Sequence, residues 1–364
     1  FAATSTTKEG EEEDAVFYTE FTSQQLFRID LNENGDGDGE RKATPIVGKD
    51  STGQYRYADG IWDHKRKLLI CIREDHGPDE KAEPKDVVNE IVALDVKTTE
   101  AAGGVETATN NVRVLVTGYD FAVAPRLSLD GKTLFCIVWD HPHMPWDATK
   151  LIKVSLPEAR TENLLAPSSL STSSSQVGTP TVVAGHDNDT SVIQPCLHPL
   201  TGKLFYISDQ SGYYNIYMMD DDDDQQHCVL PMDVDFGGSS PGWMLGQQGF
   251  SFLQDGRLVA VFKREGESVL VVANVMDWTP SSTKPIDTME YTSQDGLPLQ
   301  FGPVQGGTTM ETMNDLYFLG GSPSTPGSVY SWKLPTKEGG AATPVQPATV
   351  LACSSTLKFP DSVI

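Results

Sequence analysis

The residues best equipped for chemistry gather in four short stretches. Arg73, Glu74, Asp75 and His76 open the stretch Arg73–Pro84, and Asp140, His141, His143, Trp146 and Asp147 fill Asp140–Asp147. Asp209 stands within Ser208–Gly212, and Arg264 and Glu265 within Lys263–Glu267. Two imidazoles flanked by acids have the donor types zinc takes, yet no further His or Cys follows His143 at motif spacing. Asp30, Asn32, Asn34 and Gly35 imitate the start of a calcium loop, but Arg41 occupies the place of its bidentate glutamate. No cofactor and no metal is therefore expected.

Nucleophilic catalysis fares no better. An exposed serine on a strand-to-helix elbow needs Gly-x-Ser-x-Gly, and that pentapeptide is absent. The nearest string, Gly237-Gly238-Ser239-Ser240-Pro241-Gly242, has its glycines at the wrong spacing. Phosphate loops, HExxH and dinucleotide fingerprints are absent too. The chain is expected to carry no catalytic centre of its own.

What would position those stretches is a repeat. Tyr57–Ile72, Ala124–Val138, Gln194–Ser208 and Gly249–Phe262 share one plan: a short strand, a turn and a strongly apolar strand. Asp130-Gly131, Thr201-Gly202 and Asp255-Gly256 mark the turns, while Asp63-His64-Lys65 holds the equivalent place without glycine. Third strands are expected at Asn89–Val96, Lys150–Ser155, Tyr214–Met219 and Val269–Val275, and an outer strand at Val112–Val116. Ala15–Leu31 and Phe301–Leu334 are weaker copies. This pattern predicts an all-β fold, a β-propeller of four-stranded blades with about six visible. The first blade is expected to lack its inner strand.

In such a blade the stretches named above join second to third strands and share one face, opposite the Asp-Gly hairpins. They are expected to meet a neighbouring domain or frame a substrate passage. The plainer reading is that charges populate exposed loop tips. Tyr213, Tyr214 and Trp243 are candidate substrate-binding aromatics, although packing between blades is the commoner use of such residues.

Composition sets the outer limits. The 364 residues carry 51 acidic against 27 basic side chains, a net charge of −24. That balance argues against nucleic acid, whose backbone needs Lys- and Arg-lined surface. No apolar run reaches membrane-spanning length, so no membrane partner is expected. Five scattered cysteines without a Cys-x-x-Cys pair suit a reducing, cytoplasmic setting, although the sequon Asn188-Asp189-Thr190 points the other way.

The stretches Arg56–His76, Phe121–Asp147, Ser191–Tyr217 and Gly242–Val259 together resemble the propeller of prolyl oligopeptidase-type serine peptidases. The acylaminoacyl-peptidase and dipeptidyl-peptidase-like branch is the nearest in character. Similarity runs from about Ala15 to Leu334, and Trp139–Asp147 is its most specific piece. The resemblance implies a seven-bladed parent and an α/β-hydrolase domain of the same parent protein as partner. It also implies short peptides as substrates. Residues 1–364 are expected to form a single propeller domain, with 335–364 supplying an outer strand and the start of a linker. The alternative is a free-standing propeller that serves as a protein-interaction scaffold.

Overall fold

Strands arise here because β-branched and aromatic residues alternate with turn formers every few residues. The computed structural model describes residues 2–4, 15–31, 43–46, 53–78, 83–96, 112–157, 177–219, 225–237, 244–276, 278–279, 285–307, 312–323, 325–335, 337–338, 341–342 and 345–355. Their backbone divides into two compact units, Phe1–Asp189 and Thr190–Ile364.

Each unit contains three four-stranded antiparallel sheets, the blades of a β-propeller. In the first unit these are β1 (Ala2–Thr4), β2 (Ala15–Thr19), β3 (Leu26–Asp30) and β4 (Ala43–Pro45); β5 (Tyr55–Asp63), β6 (Leu68–Asp75), β7 (Val88–Asp95) and β8 (Val112–Val116); and β9 (Phe121–Leu127), β10 (Thr133–Trp139), β11 (Lys150–Ser155) and β12 (Thr181–Ala184). The second unit has β13 (Val192–Leu197), β14 (Leu204–Ser208), β15 (Asn215–Met219) and β16 (Gln226–Cys228). Then come β17 (Phe250–Phe252), β18 (Leu258–Arg264), β19 (Glu267–Ala273) and β20 (Thr288–Tyr291). Its last sheet joins β21 (Gln300–Gly306), β22 (Asp315–Ser322) and β23 (Thr325–Lys333). A small hairpin of β24 (Lys337–Glu338) and β25 (Ala341–Ala342) follows, and β26 (Thr349–Cys353) closes that sheet as its outer strand.

The first blade departs from the sequence reading. Ala2–Thr4 pairs antiparallel with β2, so the inner strand judged missing is present. Three small residues with no hairpin signal beside them give no period to detect.

Burial follows strand rank. The second strands read LLICI, LFCIV, LFYIS and LVAVF with hardly a polar residue, because sheets pack against both of their faces. Leu204–Ser208 is buried at every position. Leu68, Ile70, Leu134, Cys136 and Ile152 share one core between adjacent sheets of the first unit. In the second unit Phe205, Phe236, Phe250 and Phe262 share another, and Leu253, Phe301, Phe318 and Trp332 a third. Outer strands run at the solvent boundary, and all five residues of β26 are exposed.

First-to-second-strand turns need a left-handed residue, and Gly131, Gly202 and Gly256 provide it at φ +70°, +73° and +86°. Where the sequence has no glycine, Lys67 takes φ +58°. The Asp63 carboxylate holds that turn, accepting from the Lys65 and Arg66 amides at 3.0 and 3.1 Å. It also pairs with the Arg66 guanidinium at 2.7 Å, and neither side chain is more than 5% exposed. Arg66 donates onward to the carbonyls of Gly131 and Pro157 in the next blade, so one buried ion pair joins two turns.

Inner strands share a second device. The registers of β5, β9, β13 and β21 each slip once against the neighbouring strand. At those slips Asp59, Ala124, Gln194 and Gly302 adopt φ of +46°, +53°, +51° and +139°. Each is a β-bulge with a residue of positive φ, and proline follows it in three of the four: Pro125, Pro195 and Pro303.

Candidate functional site

The four sequence-selected stretches do lie at second-to-third-strand connections or strand ends, but most of their polar groups are already engaged. Arg73, Glu74 and Asp75 belong to β6 itself. Arg73 is registered opposite Glu90 of β7, and its Nε donates to Glu90 Oε2 at 3.0 Å. Its guanidinium lies 4.7 Å over the Tyr55 ring. Burial acts to lower the Arg73 pKa, but the Glu90 carboxylate outweighs it and holds the group firmly charged. His76 Nε2 contacts Glu74 Oε2 at 2.9 Å. Asp75 accepts from the Gln54 carboxamide and the Gly77 amide, both at 2.9 Å.

The Asp140–Asp147 loop is organised around backbone amides. Asp140 Oδ1 accepts from the Asp120 amide at 2.8 Å, and Asp120 returns the bond by accepting from the His141 amide at 2.8 Å. Asp147 Oδ2 accepts from the Met144 amide at 3.1 Å. The His141 ring stands edge-on to Phe121, with centroids 5.2 Å apart. Among the described residues no group of three or more His, Cys, Asp or Glu is placed to hold a metal ion. Trp146, 43% exposed, is the one large apolar side chain this loop offers to solvent. The calcium-like segment from Asn32 onward, Asp220–Asp224 and Gly238–Trp243 lie outside the described residues.

In the second unit, Asp209 accepts from the Ser191 amide at 2.8 Å and so ties its loop to the start of β13. Arg264 makes a two-pronged bond to Glu290, at 2.7 and 3.0 Å. That bond raises the arginine's pKa and lowers the carboxyl's. Glu265 and Gly266, at φ +52° and +83°, form a two-residue turn of the kind that closes hairpins.

The concavity of this unit lies beside those residues. A groove of about 1020 Å³ is lined by β18, β21 and the ends of β22 and β23, with Tyr213, Asp233, Asp235, Met244 and Gln248 completing it. Its floor is apolar, from Val261, Phe262, Phe301 and Pro303. Tyr213, Met244 and Leu319 are 41%, 50% and 52% exposed at its margin. Of the two tyrosines singled out in the sequence, Tyr213 lines the groove and Tyr214 packs against the core. Among the described residues that line it, Lys263 is the one cation, and Asp233 and Asp235 are the acids. Sequence reasoning bracketed Lys263 within its loop but passed over it for the more conspicuous Arg264 and Glu265. Gln300, Asp233 and Asp235 come from other segments and carry no local signal.

The five cysteines are free thiols, and burial pushes those of Cys71 and Cys136 far above their ordinary pKa, so both are inert core residues. Among the described residues no helix is long and apolar enough to cross a membrane.

No protein-family model matches the chain, and no curated protein matches it either. Solved structures do. Puromycin hydrolase superposes with a TM-score of 0.69 at 20% identity, over 95% of this chain and 44% of that one. A puromycin-hydrolyzing peptidase from Mycobacterium tuberculosis gives 0.66 at 23% identity, over 97% and 46%. Prolyl oligopeptidase B from Galerina marginata gives 0.54 at 10% identity, over 95% and 41%. The chain shares its β-propeller fold with part of each of these peptidases. The chain spans less than half the length of each of those three proteins. The likeness at such low identity is one of fold, and it does not carry over any residue's role.

Proposed function

We propose that this chain is the non-catalytic propeller of a prolyl oligopeptidase-type serine peptidase, gating access of short peptides to an α/β-hydrolase domain of the same parent protein. The observation that carries the reading is the superposition on puromycin hydrolase over 95% of the chain. Two features agree with it: the sequence lacks a nucleophile elbow, and second-to-third-strand connections expose Trp146 in one unit and Tyr213 in the other, where Met244 and Leu319 are exposed at the margin of the same groove as Tyr213. Aromatic and long aliphatic side chains exposed beside a concavity are the composition of a docking or ligand surface rather than of ordinary solvent-facing turns. Gating of this kind is steric: bond cleavage takes place on the hydrolase, and the propeller sets which substrates reach it.

The test compares this chain with the product of its full reading frame on short acyl- and amino-terminal chromogenic peptides. Hydrolysis only by the longer product supports the reading. Activity in this chain alone, abolished by a serine-reactive probe, overturns the non-catalytic assignment. Silence in both favours the interaction scaffold.

A further inference from the structure

Lys263 holds an unusual position for a lysine in a chain of net charge −24. Its ammonium donates to Ser268 Oγ at 2.8 Å and to Gln300 Oε1. Both acceptors are fixed by other bonds. Ser268 is fully buried, accepts from the Phe301 amide at 2.9 Å and donates to the Phe301 carbonyl at 3.1 Å. Gln300 Nε2 donates to the Gly266 carbonyl, which turns its oxygen toward the lysine. Neither partner is charged, and no carboxylate of the described residues forms an ion pair with Lys263. An ammonium has three donors, and two are used. Burial lowers its pKa, with no neighbouring charge contributing to the shift.

The other lysine and arginine pairs of the molecule show what this site is not. Arg66, Arg73, Arg257 and Arg264 each pair with a carboxylate from their own sheet. At the groove wall the exposed Lys263 ammonium is instead held by two neutral acceptors beside an apolar floor, with Asp233 and Asp235 the acids lining the same groove and neither of them ion-paired to it.

We propose that this groove binds the terminal carboxylate of a short apolar peptide, with Lys263 as the group that receives it. The carboxylate takes the third N–H of the ammonium, and the peptide's apolar side chains lie against Phe301, Pro303, Met244 and Leu319. The backbone of such a peptide finds donors and acceptors in the carboxamides of Gln247 and Gln248 at the same wall. The inference rests on the peptidase reading for its choice of a peptide as occupant.

The experiment titrates the full chain with N-acetyl-leucyl-leucine and with its C-terminal amide, followed by calorimetry at low salt. The expected result is that the acid binds about tenfold or more tightly than the amide, the scale of one charge-assisted hydrogen bond. Lys263→Met should abolish the difference, and Lys263→Arg should keep most of it. Circular dichroism of both variants controls for folding. Equal binding of acid and amide, binding of neither, or discrimination that survives Lys263→Met overturns the proposal. If the longer product hydrolyses peptides while this chain does not distinguish the two probes, the site fails and the peptidase reading stands. Acid-selective binding without hydrolysis by the longer product keeps the site and removes that reading.

Discussion

The side chain of Gln194 completes the backbone hydrogen bonding of the strand that begins the next sheet. Its Oε1 accepts from the Gly249 amide at 2.6 Å, and its Nε2 donates to the Phe250 carbonyl at 2.7 Å. The left-handed φ of Gln194 turns the side chain out of its own sheet, and both backbone partners are buried. Asp59 plays the same part in the other unit, with Oδ2 accepting from the Ala124 amide at 3.1 Å. A bulge that weakens one sheet thus ties it to its neighbour.

Replacing Gln194 with Ala leaves a buried amide and a buried carbonyl without partners. The expected loss is about 2 kcal/mol, on the order of two unmet backbone bonds. Urea denaturation checks it, and an unchanged midpoint would show that the bridge is incidental.

Ala124 is a non-glycine residue at φ +53°. Valine there would place a branched Cβ in a conformation that already costs an alanine roughly 1 kcal/mol, so Ala124→Val should destabilise by more than that. Ala124→Gly should be near neutral, because relief of strain is offset by the freer unfolded chain. Thermal midpoints of the two variants would separate these effects.

Asp63 and Arg66 form the buried ion pair of the β5–β6 turn. Asp63→Ala strands the guanidinium and frees two turn amides, and a loss of about 3 kcal/mol or more is expected. If Asp63→Ala matches the wild type in urea, the pair does not hold the turn.

His198 sets a pH dependence. The ring is buried, its Nδ1 accepts from the Leu200 and Thr201 amides at 3.3 and 3.1 Å, and its Nε2 bonds the Gly256 carbonyl at 3.0 Å. An Nδ1 that accepts cannot carry a proton, and burial lowers the pKa below its ordinary 6.5. The unfolded chain therefore binds a proton first as pH falls, so stability is full above about 6.5 and declines below it until the folded imidazole also titrates. Urea midpoints from pH 8 to pH 5 should fall more steeply for the wild type than for His198→Gln.

Two exposed aromatics and one largely buried ion pair should separate under mutation. Trp146→Ala and Tyr213→Ala should change stability by no more than about 0.5 kcal/mol, while weakening peptide handling in the longer product. Arg73→Ala should destabilise measurably, because Glu90 loses its partner in a buried position. The reverse pattern would return Arg73 to the functional surface.

The repeat was legible because four of the blades write their second strand as an uninterrupted apolar run after a turn. Ala2–Thr4 was not, since three small residues have no period. The candidate residues lie at the ends of second strands or in the connections that follow, but their hydrogen-bond partners were invisible in the sequence. Arg73 finds Glu90 only through the β6–β7 register, and Arg264 finds Glu290 across the width of a sheet. The groove is hidden for the same reason: Lys263, Gln300, Leu319 and Tyr213 come from four separate segments, and no local pattern marks them as neighbours.

The recurring left-handed step on the inner strands also bears on self-association. β5, β9, β13 and β21 each stand at the margin of their sheet, where one row of backbone groups has no strand beside it. An unbroken margin of that kind is a template on which a foreign strand can grow. Pro125, Pro195 and Pro303 each take an amide donor out of these strands, and the register slip beside them breaks the regular spacing of the remaining groups. An incoming chain would meet an interrupted pattern in place of a continuous one.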